Sequence, residues 1–411
     1  MANSHNRSSL LSVDAALDII LASLSPTMPT RLLLTDAHGQ FLAEDIHAKL
    51  TLPPHDVSAM DGYAVRADDV ADCPAKLTRI GESAAGHPWT GSVESGQAVR
   101  IFTGAYVPDG ADTVIIQENV DAASEADHTV ITVNEGANKG RYVRPAGLDI
   151  SAGALALGKG TLLSARCIGL AIAAGATSAV VSQPPRIGIL STGDELVSPG
   201  QTPGPGQIIS SNAAFLSAFV KSCGAEVVDL GIAADKPGAV SNSVMATTNL
   251  DMVVTTGGAS VGNHDHIVND LAGGALDFWK IAMRPGKPLI WGKIGNTPLL
   301  GLPGNPVSTA VCALVFLAPA ITKLGAGTHQ QHLFSAAITT DLRENDLRQD
   351  YIRASMGRAS NGMTSVRPAK LQDSSMMATL AHADAFIVRP PFDPPITAGD
   401  IVSILPMPRL F

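Results

Sequence analysis

The 411-residue sequence predicts a multidomain protein of the α/β-plus-β class, with a doubly wound parallel sheet, a small β-rich lobe and a C-terminal β domain. Three observations lead there. Between Ile187 and Leu324, strand-like and helix-like segments alternate, as βαβ units do on a parallel sheet covered by helices on both faces. On either side of that stretch the chain changes to short β-rich runs separated by Gly, Asp and Asn turns. The composition is 45% hydrophobic and only 16% charged, which excludes a disordered chain. At roughly 100 to 200 residues per domain, the length suits two to four buried cores.

Taken in order, Ser12 precedes Val13, Ala16, Leu17, Ile20 and Leu21, an i, i+3, i+4 spacing that predicts an amphipathic helix ending before Pro26. Runs at Val99 to Thr103, Thr113 to Gln117 and Thr129 to Val133 read as strands of the lobe. An Ala-rich helix from Ala165 meets Gly175 and a Val-rich strand, and Pro184-Pro185 then marks a boundary. Beyond it, strands are expected at Ile187 to Leu190, Glu226 to Leu230, Met252 to Thr255, Pro288 to Trp291 and Leu299 to Leu300. Helices are expected at Ala213 to Cys223, near Ala239 to Thr248, and from Pro306 to about Leu324. After Gly325-Ala326-Gly327, β-like runs at Leu333 to Thr339, Ile352 to Ser355, Phe386 to Val388 and Ile401 to Leu405 predict the C-terminal domain.

A net charge of -9, from 28 basic and 37 acidic residues, leaves no footprint for a nucleic-acid backbone. Cys73, Cys167, Cys223 and Cys312 lie far apart with no CxxC pair, which fits a reducing compartment and argues against a zinc framework. Met1 to Ser9 is polar, with no signal-peptide core behind it. The longest apolar run, Ala310 to Ile321, spans 12 residues and contains Pro319, short of the ~20 that cross a bilayer. A cytoplasmic protein without membrane or nucleic-acid partners is expected.

Four Gly-rich turns follow expected strands, where open parallel sheets hold their ligands. They are Ser191-Thr192-Gly193-Asp194-Glu195, Gly257-Gly258-Ala259-Ser260-Val261-Gly262, Arg284-Pro285-Gly286-Lys287 and Gly301-Leu302-Pro303-Gly304-Asn305-Pro306-Val307-Ser308. A lone turn of this kind is most often just a tight connection, but four on one sheet edge weaken that reading. Pro at i+1 and Gly at i+2 predict a type II turn at Arg284 to Lys287, bringing two cations within about 7 Å between Cα atoms to face one anion. Asn305 as N-cap, Pro306 at N1 and Ser308 at N3 present free N–H groups and a helix dipole to an anion. No Walker loop is present and no GxGxxG follows a strand, so nucleotide-fold readings start low.

Carboxylates also sit in turns: Asp61 in Ser58-Ala59-Met60-Asp61-Gly62-Tyr63, then Asp149, Asp194, Glu195, Asp235 and Asp265. Singly, each suits an Asx turn or a cap; beside anion cradles, the group suits Mg²⁺, a hard cation shared with substrate phosphates. His264-Asp265-His266 lacks distant metal-ligating partners and reads as solvated histidines at a helix start.

In order along the chain, these motifs resemble the molybdopterin molybdenumtransferase family, which includes the E domain of gephyrin. The carriers are Ser58 to Ala64, Phe102-Thr103-Gly104-Ala105, Ser191 to Leu196, Gly257 to Asp265, Met283 to Pro288, Gly301 to Ser308 and Gln372-Asp373-Ser374-Ser375. The resemblance implies an elongated subunit whose α/β domain binds molybdopterin, in a homodimer with sites between subunits. It divides the chain into an N-terminal helix (1–26) packed on the α/β domain, a linking domain (27–50 and 141–180), the lobe (51–140), the α/β domain (181–328) and the C-terminal domain (329–411). The implied reaction takes adenylylated molybdopterin, handed over from a molybdopterin adenylyltransferase. Molybdenum from molybdate is placed on its dithiolene sulfurs and AMP is released.

By the same resemblance, Arg284, Lys287, Ser308, Arg353, Ser374 and Ser375 bind molybdate. Thr103, Gly257, Gly258, Ser260, Gly304 and Asn305 bind the pterin substrate. Asp61, Asp149, Asp194, Glu195, Asp235 and Asp265 form an acidic catalytic cleft, with Asp235 and Asp265 on Mg²⁺. Arg284 stands where the family commonly has Lys, exchanging a point charge for a planar fork. Two other readings compete: a nucleotide pyrophosphatase of the competence-damage type, opposed by the Ser58 to Ala64 motif and the C-terminal β domain, and a non-catalytic scaffold.

Overall fold

The computed structural model describes residues 10–122, 130–258, 271, 276–329, 332–359 and 361–407. Among the described residues, three six-stranded sheets dominate. The first helix, Val13–Ser23, starts where Ser12 Oγ accepts the Ala15 N–H at 3.2 Å. Its buried face (Val13, Ala16, Ile20) joins the core beneath the central sheet. Strand pairs Pro29–Leu33 with Ser178–Ser182 and Ile46–His47 with Leu155–Leu157 then carry the chain toward the lobe and back.

The lobe sheet runs in the order Thr113–Ile116, Gly62–Val65, Gln97–Ile101, Ala75–Ser83, Val130–Val133, Val120–Ala122. Gly62–Val65 is buried along its length between two neighbours, so the turn preceding it, which bears Asp61, is anchored by a central strand.

In the central sheet the order is Glu226–Ala233, Arg186–Thr192, Met252–Thr256, Thr297–Leu302, Pro288–Ile294, Leu276–Lys280. The first four strands are parallel, Pro288–Ile294 runs against them and Leu276–Lys280 runs against Pro288–Ile294, so the doubly wound sheet has a mixed edge. Side chains alternate along the parallel strands. Ile187, Ile189, Met252 and Val254 face one core with helices Val13–Ser23 and Ser211–Ser222, whereas Leu190 and Val253 face a second core with Val240 and Val244 of Ala239–Met245. Burial on both faces explains why these strands read as continuous apolar runs.

The expected long helix is continuous over Pro306–Leu324, as Pro306–Cys312, a π segment Ala313–Leu317 and Ala318–Leu324. Pro319 crowds the carbonyl of Val315, which falls in the wider π turn, so the helix absorbs the ring without ending. At 19 residues it is long and apolar enough to cross a membrane, but 83% of its most apolar stretch is buried inside the protein, which makes it a core helix.

In the C-terminal sheet, Gln349–Arg358 pairs with both Thr364–Pro368 and Ala385–Arg389, and Phe334–Ile338 and Ile401–Pro406 complete a small closed barrel. A two-residue strand from the α/β region, Met283–Arg284, joins it in parallel with Gln349–Asp350.

Candidate active site

Three of the parallel strands of the central sheet end in the turns singled out above: Thr192-Gly193, Gly257-Gly258 and Pro303-Gly304-Asn305. Pro288–Ile294 is antiparallel, with Ile290 opposite Gly301, so the turn that precedes it comes to this same edge. Gly257 has φ +88°, and a Cβ there would lie 2.2 Å from the Thr192 carbonyl oxygen. Only glycine lets these two turns touch. Asn212, at the start of helix Ser211–Ser222, ties the edge together: its Nδ2 donates to Thr256 Oγ1 at 2.9 Å and to the Gly304 carbonyl at 2.7 Å. The buried hydroxyls of Thr192 and Thr255 have no hydrogen-bond partner among the described residues.

Asn305 occupies the N-cap position, but its side chain does not cap the helix. Its Nδ2 donates instead to Ser374 Oγ at 2.9 Å, while the Val307 N–H donates to the Ser374 carbonyl at 3.0 Å. Asn305, the helix start with buried Ser308, and Ser374 therefore meet, although Ser374 lies 69 residues further along the chain than Asn305. The neighbouring Ser375 donates its N–H and O–H to Asp373 Oδ1, which holds that carboxyl below its ordinary range. Arg353, 1% exposed, donates to the carbonyls of Leu371 and Met376 and to Gln372 Oε1. Burial lowers its pKa. Its fork shapes the loop that carries Ser374 and Ser375.

The Arg284 to Lys287 turn departs from expectation in two ways. The Arg284–Pro285 peptide is cis and Gly286 has φ +114°, which is not the type II geometry expected of a Pro-Gly pair. A Cβ on Gly286 would lie 2.7 Å from the buried Cys312 sulfur, so the turn rests directly on the core helix. Nor do two free cations face one anion. The Arg284 guanidinium is bound to Asp346, Asn345 and Asp350, and the Asp350 bond raises its pKa. Lys287 is exposed, and no side chain among the described residues pairs with its ammonium.

Of the acids, Asp61 is joined to Thr103, whose N–H and O–H both donate to Oδ1; these bonds, the backbone one foremost, lower the Asp61 pKa. Arg100, which motif reading did not pick out, organises this corner. It donates to the Gly62 carbonyl at 2.9 Å and to Gln117 Oε1 at 2.7 Å, and lies over the Tyr63 and Phe102 rings at 5.1 and 4.8 Å. Asp194 Oδ1 accepts the Asp235 backbone N–H at 3.1 Å, joining two of the acid-bearing turns at neighbouring strand ends. The Glu195 carboxylate folds back over Gly193, and Asp149 is exposed with its N–H on the Leu52 carbonyl at 3.0 Å.

Ser260, Asp265 and the His264 to His266 tripeptide lie outside the described residues. Among the described residues, no three His, Cys, Asp or Glu side chains cluster closely enough to hold a metal by themselves. None of the hydrogen bonds or ion pairs among the described residues joins residues 51–140, which carry Asp61, to residues 181–328.

The chain matches three family models in succession: the MoeA N-terminal region (domain I and II) over residues 11–175, a probable molybdopterin binding domain over 188–323, and the MoeA C-terminal region (domain IV) over 335–407. The molybdopterin molybdenumtransferase of Haemophilus influenzae is 34% identical over 406 residues, covering 98% of this chain and 100% of that protein. Its counterpart from Nostoc is 35% identical over 384 residues, covering 90% of this chain and 87% of that one. Among solved structures, a molybdopterin biosynthesis MoeA protein from Pyrococcus horikoshii superposes with a TM-score of 0.82 at 26% identity, over 97% of this chain and 100% of that one. From one end to the other, therefore, the chain belongs to the molybdopterin molybdenumtransferase family.

Proposed function

We propose that the protein transfers molybdenum from molybdate to adenylylated molybdopterin, forming molybdenum cofactor and releasing AMP. The observation that carries this reading is the convergence, on one sheet edge, of an exposed lysine, a long helix start and two glycine turns. A tetrahedral dianion is stabilised by a cation, hydroxyls and oriented N–H groups, which Lys287, Ser308, Ser374, Ser375 and the Asn305 helix start supply. Gly257, Gly258 and Gly304, with no side chains in the way, let backbone approach a flat or phosphorylated ligand. Ser260 and Thr103 belong to the same substrate surface in this reading.

Asp61, Asp149, Asp194, Glu195, Asp235 and Asp265 repel a phosphoanhydride unless a cation intervenes. Oxygen donors in exposed turns fit Mg²⁺, and Asp235 and Asp265 are its ligands in this reading, with Asp194 bonded to the Asp235 backbone N–H. When bound, magnesium would neutralise charge on the phosphoanhydride oxygens. The active unit is a homodimer in this reading, with Asp61 and the Thr103 bonded to it supplied to the sheet edge by a second copy. The substrate arrives from a molybdopterin adenylyltransferase, and the enzyme works in the cytoplasm. Matched regions flanking the α/β stretch on both sides, 11–175 and 335–407, disfavour the pyrophosphatase alternative.

Purified protein incubated with adenylylated molybdopterin, Mg²⁺ and molybdate should release AMP and reconstitute an apo-molybdoenzyme. AMP release without reconstitution would reject metal insertion.

A further inference from the structure

The two cations of the Arg284 to Lys287 turn are treated oppositely by the fold. All three side chains that hold Arg284 belong to the C-terminal barrel or the segment that enters it. One guanidinium nitrogen donates to Asp346 Oδ2 at 3.0 Å; the other donates to Asn345 Oδ1 at 3.1 Å and to Asp350. The acceptors are themselves fixed. Asn345, 7% exposed, donates to the carbonyls of Arg348 and Pro390, both at 2.8 Å. Asp346 also receives Arg348 at 2.7 Å. The backbone repeats the connection, because Met283–Arg284 pairs with Gln349–Asp350 and the Gln349 N–H donates to the Ala282 carbonyl at 2.9 Å. Three residues along the chain, Lys287 is exposed, and its carbonyl accepts the Ile281 N–H at 3.0 Å.

We propose that Arg284 is a positioning residue for oxyanion binding: its fork ties the turn to the barrel and so sets the reach of the Lys287 ammonium, without itself contacting the anion. This rests on the reading of Lys287 as the oxyanion-binding cation. Two acids against the two guanidinium groups of Arg284 and Arg348 leave no net positive charge to offer a dianion. The three acceptors lie in different directions around a planar fork, and one ammonium cannot span them.

The test is equilibrium binding of molybdate alone to the full chain and to R284K, R284A, D350N, R284A/D350N and K287A, with adenylylated molybdopterin binding as the second readout. If Arg284 acts through its tie, R284A and D350N each weaken molybdate binding by about tenfold, and the double variant binds no more weakly than either. R284K does not restore it, and affinity for adenylylated molybdopterin stays within twofold in all of them. A direct ligand behaves differently: R284K would bind molybdate almost as the parent does, and D350N would leave affinity unchanged or raise it by freeing the guanidinium. Either result overturns the proposal. The near-isosteric D350N keeps the test valid if R284A does not fold. Unchanged affinity in K287A would instead sink the underlying reading, and the positioning role with it.

Discussion

Asp61 Oδ1 accepts both donors of Thr103, the backbone N–H at 2.7 Å and the hydroxyl at 2.8 Å, so one residue fixes the carboxylate from two directions. The arrangement leaves the second oxygen to face solvent or substrate. It also favours the charged form, which lowers the Asp61 pKa from its ordinary 3.8, chiefly through the Thr103 N–H and then its hydroxyl. A depressed carboxyl keeps its charge above its unfolded value and loses it only as pH falls through the lower folded one. Thr103→Val keeps the N–H bond and removes the hydroxyl bond. The Asp61 carboxyl should then titrate closer to 3.8, seen by NMR, and AMP release at neutral pH should fall about tenfold as the carboxylate loses orientation. An unmoved titration would show that the hydroxyl bond contributes nothing.

Lys287→Ala should weaken molybdate binding by roughly ten- to hundredfold, the effect of losing about 1.5 to 3 kcal/mol of charge-assisted contact. Because the side chain is exposed, circular dichroism and the unfolding midpoint should not change. Calorimetric titration with molybdate reads the difference, and parental affinity removes the lysine from the site.

Asn212 donates to both Thr256 Oγ1 and the Gly304 carbonyl, and its replacement separates bonding from volume. Asn212→Asp keeps the shape but sets carboxylate oxygens against the Gly304 carbonyl, so it should impair adenylylated molybdopterin binding more than Asn212→Ala does. The alanine variant leaves two acceptors unserved, at roughly 1 to 3 kcal/mol where water cannot reach them. Equal affinities for the two variants would mean that the tie does not shape the edge.

Asp235→Asn should raise the Mg²⁺ concentration needed for half-maximal AMP release by about tenfold, because an amide is a poorer ligand for a hard cation. The Asp235 N–H bond to Asp194 comes from the backbone and survives the substitution. A Mg²⁺ titration that superposes on the parent's would leave Asp235 with no metal role.

Those parts of the fold that depend on local pattern are legible in the sequence. Ser12 with its apolar stripe marks the first helix, and the alternation from Arg186 to Leu324 marks the α/β region. The direction of Pro288–Ile294 is legible too, since the two residues Gly295-Asn296 that join it to Thr297–Leu302 permit only an antiparallel hairpin, and that direction delivers the Arg284 to Lys287 turn to the ligand edge. The strand Leu276–Lys280 leaves no clear sequence signal because it is a half-buried edge strand bonded on one side only, with no clean alternation. The same division runs through the site. Asp61 and Thr103 stand in recognisable motifs, but their contact spans 42 residues. Arg284 reads from sequence as a free cation because the acids that occupy it come 62 and 66 residues later. Asn212 and Arg100 belong to no motif; their roles arise from strand ends and cross-strand neighbours that only the folded chain creates.

The decisive measurement is the stoichiometry of molybdenum bound to pterin against AMP released, in a single turnover with purified protein, adenylylated molybdopterin, Mg²⁺ and molybdate. If the sheet edge with Lys287 binds the oxyanion that the reaction consumes, the two amounts rise together mole for mole, and both fall in Lys287→Ala at limiting molybdate. AMP released in full with no molybdenum on the pterin, or both amounts unaffected by Lys287→Ala, would contradict it.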